Sequence, residues 1–417
     1  MSRLSEILRE RGYVYQHSTE TLEEITDGDV RTLYLGVDPT ADSFHVGHLQ
    51  ALLVMRRFIE AGHKVILLIG GGTGMIGDPS GKSEERNLLD TDTVARNGEA
   101  LKVQAEAIFQ GKEIVLRNNA NWLTSLNLVE FLRDIGKHFT VNSMVKREMV
   151  KERLEAESAI SYTEFAYSIL QAYDFLHLHK TEGCDLQIGA SDQWGNIMSG
   201  VDLVRKKEGA SVYGFTFPLL VNKATGKKFG KSVAGAIWLD PEKTSPFQFY
   251  QFWLQTEDDA LEEYFLKMTL LPREEIDRIL EEQRRDPSGR HGQRTLAWEV
   301  TSLVHGGIAT QLQRVSDVLF GEQDFTQLTE DDLGIASRVA PSSLVHIGTS
   351  ILDALVAAGL ASSKREARQF IKDGAISLNG KDVTDETRAI TEADLSGKVA
   401  LLRRGKRHMA LLVPDST

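Results

Sequence analysis

Two short runs of side chains carry most of the chemistry this chain could do. His45-Val46-Gly47-His48 sets two imidazoles around a glycine where a helix should open, after the apolar run Leu33-Tyr34-Leu35-Gly36-Val37 and its break at Asp38-Pro39-Thr40. Lys228-Phe229-Gly230-Lys231-Ser232, roughly 180 residues later, is a lysine-rich loop softened by glycine. The N–H groups of a helix N-terminus and the ammonium groups of mobile lysines both suit phosphate oxygens. Together they suggest an enzyme that closes on ATP from two sides. A third pattern is Tyr167, Gln171 and Asp174, at i, i+4 and i+7 in a helix expected after Ser161. That spacing lines a phenol, an amide and a carboxylate along one stripe, which faces either water or a small polar ligand.

Other spacings lead elsewhere and fail on inspection. Gly72-Thr73-Gly74-Met75-Ile76-Gly77 has the G-x-G-x-x-G form of a dinucleotide turn, but Asp78-Pro79-Ser80-Gly81 interrupts the helix such a turn must open. Gly77 to Ser83 resembles a P-loop with one residue too few between its glycines, which alters the ring of N–H groups that cradles phosphate. His45 and His48 could share a metal, yet no cysteine or third histidine stands nearby to complete a tetrahedral site, so no structural metal is expected.

The elements that must position these groups follow from periodicity. Leu33–Val37 and Val65–Ile69 read as buried strands, with helical spacing from Leu49 to Phe58 between them, which is the start of a parallel sheet. Leu186–Gly189 and Phe217–Val221 read as later strands. The expected architecture is α/β: a Rossmann-like catalytic domain over 1–222 with a helical insertion at about 124–160, the lysine loop and its connection over 223–245, an all-helical domain over 246–321, a linker over 322–343, and a small α/β unit over 344–417. In that last unit Ser362 or Ser363 should cap a helix, and Asn379-Gly380 should make a tight turn.

The chain has 417 residues, enough for two or three domains, and 41% of them are apolar. No apolar run is long enough to span a bilayer, the N-terminus has no secretory pattern, and the one cysteine, Cys184, suits a reducing compartment, so a cytoplasmic protein without a membrane partner is expected. Net charge is −12, but residues 361–417 are net +3 and the remainder −15. A basic tail on an acidic body is compatible with a local RNA contact. Its cations are Lys364, Arg365, Arg368 and Lys372 on one helix, and Arg403, Arg404, Lys406 and Arg407 in the final hairpin.

Several segments in order, YLGVDPTADSFHVGHL, GDPSGKSEER, FAYSILQAYDF, LQIGASDQWGN, KFGKS and RHGQRTLAWEVTSLVHG, resemble the bacterial-type tyrosyl-tRNA synthetases of class I, and SKREARQFIKDGAISLNGKDV is similar to a small RNA-binding domain. The resemblance implies that Tyr34 and Asp174 bond the phenolic hydroxyl of tyrosine, and that Tyr167, Gln171 and Asp78 hold its ammonium group, with Gln193 near its carboxylate. It implies that His45, His48 and Thr40 meet the ATP phosphates, that Gly47 lets adenosine approach, and that Gly36, Asp38, Asp192 and Ser232 belong to the adenylate site. Lys82, Arg86, Lys228 and Lys231 would grip pyrophosphate. Mg²⁺ would arrive with ATP, the RNA would be the tyrosine tRNA, and the region around 125–160 would form a homodimer. Val46 stands where isoleucine is usual and Ala51 lacks a hydroxyl that some relatives carry. A tryptophan-specific synthetase and a catalytically silent RNA-binding relative are the competing readings; Tyr34 and Asp174 oppose the first, the paired histidines and the lysine loop the second.

Overall fold

The computed structural model describes residues 3–79, 89–109, 111–157, 159–221, 229–232, 235–321, 325–395, 399–405 and 408–415. It divides into two compact units, one of residues 1–245 and 256–296, the other of residues 246–255 and 297–417. The stretch 246–321 is almost entirely helical and contributes to both units.

The first unit is built on a six-stranded sheet among the described residues: β1 (Gln16–His17), β2 (Thr32–Val37), β3 (Lys64–Ile69), β4 (Val115–Asn118), β5 (Leu186–Ala190) and β6 (Tyr213–Phe217), in the order β1-β6-β5-β2-β3-β4. All neighbours are parallel except the edge pair β1–β6. β3 buries Val65 to Ile69 without a break, as a central parallel strand covered on both faces must. The chain leaves β2 toward β3 and β4, then returns to β5 on the other side of β2. Strand order therefore reverses between β2 and β5, and the crevice beyond their carboxyl ends is where an open α/β sheet binds ligands.

The sixth strand differs from its sequence reading. It runs Tyr213–Phe217 and stops at Pro218, which has no N–H to give a neighbouring strand. Three helices bring side chains to the crevice: α1 (Val46–Glu60), α2 (Tyr162–Glu182) and α3 (Trp194–Glu208). α2 starts with a capping box, Glu164 N–H to Ser161 Oγ at 3.2 Å and Ser161 N–H to Glu164 Oε2 at 3.4 Å, and ends at Gly183 with φ 65°. Buried Tyr34, Ile66, Trp122, Phe175 and Leu176 form the core between sheet and α2. Far from the crevice, Arg11 donates to the carbonyls of Leu266, Thr269 and Leu271, capping the C-terminal end of the helix Leu261–Met268.

In the second unit, the stretch read as a linker holds the helix Glu330–Val339. Its acids are functional as helix starters: Thr329 and Asp332 form a capping box, and Arg314 pairs with Asp332 at 3.0 Å. The terminal portion is a five-stranded sheet with the helices Ile351–Ala357 and Lys364–Lys372. Ser363 caps the second helix, and Asn379 and Gly380 turn with φ 51° and 78°, the two positive values a tight hairpin turn requires.

Candidate active site

The two signatures meet. Val46 N–H donates to Ile237 O at 2.9 Å, Leu239 N–H to Phe44 O at 2.8 Å, and Ile237 N–H to Gly230 O at 3.0 Å, so the segment after the lysine loop lies along the start of α1. Gly230 has φ 93°, and a Cβ there would fall 2.9 Å from Val46 and 3.1 Å from Gly47 N. That is the structural reason for the second glycine of the pair. Trp238 packs edge-on to His45, ring centres 6.1 Å apart. Lys231 and Ser232 lie in a short strand facing Gly235–Ala236. Lys82, Arg86 and Lys228 lie outside the described residues.

His45 caps α1 in the place where serine or aspartate is usual: its Nδ1 accepts from Gly47 N–H at 3.0 Å. His48 Nδ1 accepts from His45 N–H at 3.2 Å, and the two rings lie 4.0 Å apart. With Nδ1 accepting, a neutral ring at either position carries its proton on Nε2. Burial and the neighbouring His45 hold His48 down to about 3, so it stays neutral. Gly47 has its reason here too: a Cβ would come 2.8 Å from the His45 ring and 3.2 Å from Phe229 O.

At the switch point a second network forms. Asp174 is buried, and both its oxygens accept: Asn119 Nδ2 donates at 2.8 Å and Trp122 Nε1 at 2.7 Å. Asn119 also donates to Thr73 Oγ1 at 2.9 Å, whose hydroxyl donates to Asp38 Oδ1 at 2.7 Å. Tyr167 donates to Asp38 Oδ2 at 2.9 Å, and Gln193 Nε2 to Asp78 Oδ2 at 2.7 Å. The Tyr34 hydroxyl and Gln171 Oε1 are buried with no hydrogen-bond partner among the described residues. Gly36, on β2, is exposed with no atom within 4 Å of a built Cβ. Thr40 and Asp192 follow the carboxyl ends of β2 and β5. Thus Asp38, Thr73, Asn119, Trp122, Tyr167 and Asp174 form one hydrogen-bonded chain, with Asp78 and Gln193 paired to each other.

Asn119, Trp122 and Thr73 were missed by the sequence reading. The available signal was position: Asn119 follows β4, and Gly70 to Thr73 follows β3, both at carboxyl ends of strands beside the switch point. Of the run that mimics a dinucleotide turn, Gly72 serves this network, its N–H donating to Asn119 Oδ1 at 2.7 Å, and the two glycines before it are hemmed in by side chains. A Cβ at Gly70 would strike Asp38 Oδ1 at 2.1 Å, and one at Gly71 would strike Asn118 Oδ1 at 2.2 Å.

Burial pushes the Asp174 carboxyl up to about 7, against the lowering by Asn119 and Trp122. If its charged form takes a phenolic proton, kcat/KM for tyrosine should fall below about pH 7, close to tenfold per unit. In kcat the limb should lie lower, because a bound hydroxyl favours the carboxylate. A flat kcat/KM profile from pH 5.5 to 8 would remove Asp174 from that role.

The basic residues of the second unit divide by what they touch. Lys364 pairs with Asp353 at 2.6 Å and Arg368 with Glu386 at 3.9 Å. Arg365 and Lys372 are exposed and in no ion pair among the described residues. Arg404 lies 4.8 Å over Phe370 and donates to Leu360 O at 2.8 Å. Arg403 instead donates to Val318 O and, at 3.1 Å, to Gly321 O, closing the C-terminal end of the helix Ile308–Phe320. Lys406 and Arg407 lie outside the described residues.

Residues 27–320 match the family of class I tRNA synthetases for W and Y, and residues 335–412 match the tyrosine–tRNA ligase SYY-like C-terminal domain. A tyrosine–tRNA ligase of Geobacillus stearothermophilus is 46% identical over 415 residues, covering 97% of this chain and 98% of that one. One from Anaeromyxobacter dehalogenans is 45% identical, covering 99% of each. The crystal structure of a C-terminally truncated Aspergillus nidulans mitochondrial tyrosyl-tRNA synthetase superposes with TM-score 0.68 at 33% identity, over 75% of this chain and 93% of that one. The chain belongs to the tyrosine–tRNA ligase family.

Proposed function

We propose that this protein activates L-tyrosine with ATP, releasing pyrophosphate, and passes the tyrosyl group to the terminal adenosine of its tRNA. The observation that carries the reading is Asp174, a buried carboxylate oriented by two donors, near enough to the unpartnered Tyr34 hydroxyl that burial and its charge together raise the phenol well above its ordinary value. A hydroxyl that both donates and accepts suits that pair, and phenylalanine would leave both buried and unmatched. Tyr167, Gln171 and Asp78 then hold the ammonium group, and Gln193 lies toward the carboxylate. Attack of an ionised carboxylate on the α-phosphate needs neither an enzyme nucleophile nor a base. It needs alignment and donors aimed at the developing charge, which His45, His48 and the lysines supply from the start of α1 and its facing loop. Mg²⁺ arrives on the ATP phosphates as part of the substrate.

Pyrophosphate exchange with tyrosine, tryptophan and phenylalanine tests this directly. Exchange is expected with tyrosine only, and exchange driven by tryptophan would transfer the reading to that amino acid.

In the second unit, Lys364, Arg365, Arg368 and Lys372 share one helix, so phosphate contacts with tRNA belong to that face, while Arg403 is committed to helix carbonyls. Residues 345–412 build a hydrophobic cluster of their own. A chain ending at Ala340 should retain adenylate formation and lose at least about tenfold in tRNA charging at physiological salt. Equal loss of both would refute this division. Leu128, Val129 and Leu132 are exposed on the helix Leu128–Asp134, and Val141, Leu154 and Tyr162 are exposed near it in sequence, which supports a homodimer through this insertion. Val129→Asp should shift the sedimentation of the protein toward the monomer. No helix among the described residues is long and apolar enough to cross a membrane.

A further inference from the structure

Asp174 is oriented by a segment with little rigidity of its own. Asn119 and Trp122 both come from the stretch around the helix Ala120–Leu123, a single turn of four residues, and one turn does not hold a side chain in place unaided. What fixes the indole must be what touches it. Its edge donates to Asp174 Oδ1 at 2.7 Å. Its face lies on the imidazole of His177, ring centres 4.2 Å apart and planes within 19°. Asp174 and His177 stand three residues apart on α2, so one turn of that helix grips Trp122 at both edge and face. Tyr173 borders His177 at 6.4 Å and packs in turn on Phe131 at 5.9 Å, which closes the far side of the stack.

We propose that His177 is a positioning residue for tyrosine selection: it clamps the face of Trp122 so that the indole N–H stays aimed at the carboxylate that receives the phenol. Desolvation holds the imidazole below its ordinary value, so it stacks as a neutral ring. The residue touches no substrate and acts only through Trp122 and Asp174. An unclamped indole would swing from Asp174, leaving the carboxylate with one fixed donor and a variable direction toward the ligand.

This inference rests on the reading of Asp174 as the phenol's acceptor, and the test separates the two. Pyrophosphate exchange is measured on full-length His177→Ala, His177→Phe and Asp174→Asn. His177→Ala should raise KM for tyrosine about fivefold, the scale of one lost aromatic pair, with kcat and KM for ATP unchanged. His177→Phe, which restores a stacking ring without a titrating group, should return KM to within about twofold of the parent. The near-ultraviolet circular dichroism of the indole should weaken in the alanine variant and persist in the phenylalanine variant. An unchanged KM for tyrosine in His177→Ala, equal impairment of the two variants, or a parallel loss for ATP overturns the proposal. If Asp174→Asn activates tyrosine normally, the pocket reading itself fails. If Asp174→Asn is impaired while His177→Ala is not, only the clamp is lost.

Discussion

Asp174→Ala should lower kcat/KM for tyrosine by about 10³-fold or more, while KM for ATP moves little. The carboxylate accepts from Asn119 and Trp122 and, on the proposed reading, from the phenolic hydroxyl of bound tyrosine as well. Removing it leaves each of them buried without an acceptor, and a hydrogen bond to a charged group is worth about 1.5–3 kcal/mol before the cost of the unmatched partner is added. Asparagine does not rescue the site. Both oxygens of Asp174 face N–H donors, so an amide would set its own NH₂ against one of them. The discrimination against phenylalanine should narrow together with tyrosine activity, because the missing group is the one that reads the hydroxyl. Stability should fall too, because Asn119 and Trp122 lose their acceptor, and relief of the buried charge that raises the Asp174 carboxyl offsets only part of that loss. Thermal unfolding and the ratio of kcat/KM for the two amino acids, measured on one preparation, decide the matter. Full discrimination in the alanine variant would exclude Asp174 as the reader of the phenol.

The polar stripe Tyr167, Gln171 and Asp174 was visible in the sequence because helical spacing alone aligns it, yet spacing left open whether it met water or a ligand. Burial of Asp174 and of Gln171 Oε1 takes those two groups out of water. Asn119 and Trp122 could not be found this way, since they reach Asp174 from 55 and 52 residues earlier through the order of β2, β3 and β4. Strand β6 was displaced to the run beginning at Phe217 because Leu219-Leu220-Val221 is more apolar than Tyr213-Gly214-Phe215-Thr216, whereas the absent N–H of Pro218 decides where pairing stops. The helix Glu330–Val339 resembled a linker for a related reason. Three acids in a row look solvated until they are counted as the first turn of a helix, where negative charge is favoured. Arg403 looked like its neighbour Arg404, but alternation along a strand sends the two to opposite faces, one to helix carbonyls and the other over Phe370.

Gly47→Ala should separate stability from catalysis more cleanly than any change to the histidines. Alanine is favoured over glycine within a helix by about 1 kcal/mol, and Gly47 lies at the second position of α1 with no positive φ to protect. On backbone grounds the variant should fold as well as the parent or slightly better. Its new Cβ, however, would stand 2.8 Å from His45 Cε1, 2.9 Å from His45 Nδ1 and 3.2 Å from Phe229 O. The ring that caps α1 must then turn away, and the loop carrying Phe229 must retreat. Both sets of donors for the triphosphate are displaced by one methyl group, and a misplacement of about 1 Å in such a site can cost about 10²-fold in rate. The pocket for the tyrosyl side chain, built by Tyr34, Asp174 and their donors, does not touch this methyl group. The expected signature is therefore a kcat for adenylate formation down about 10²-fold with KM for tyrosine within about twofold and a melting temperature little changed, the helix gain of about 1 kcal/mol being offset by loss of the His45 cap, about 0.5–2 kcal/mol. Pre-steady-state measurement of adenylate formation reads the first, tyrosine titration the second, and a thermal scan the third. An unimpaired rate would mean that His45 and the facing loop do not act on the triphosphate from the positions they occupy here.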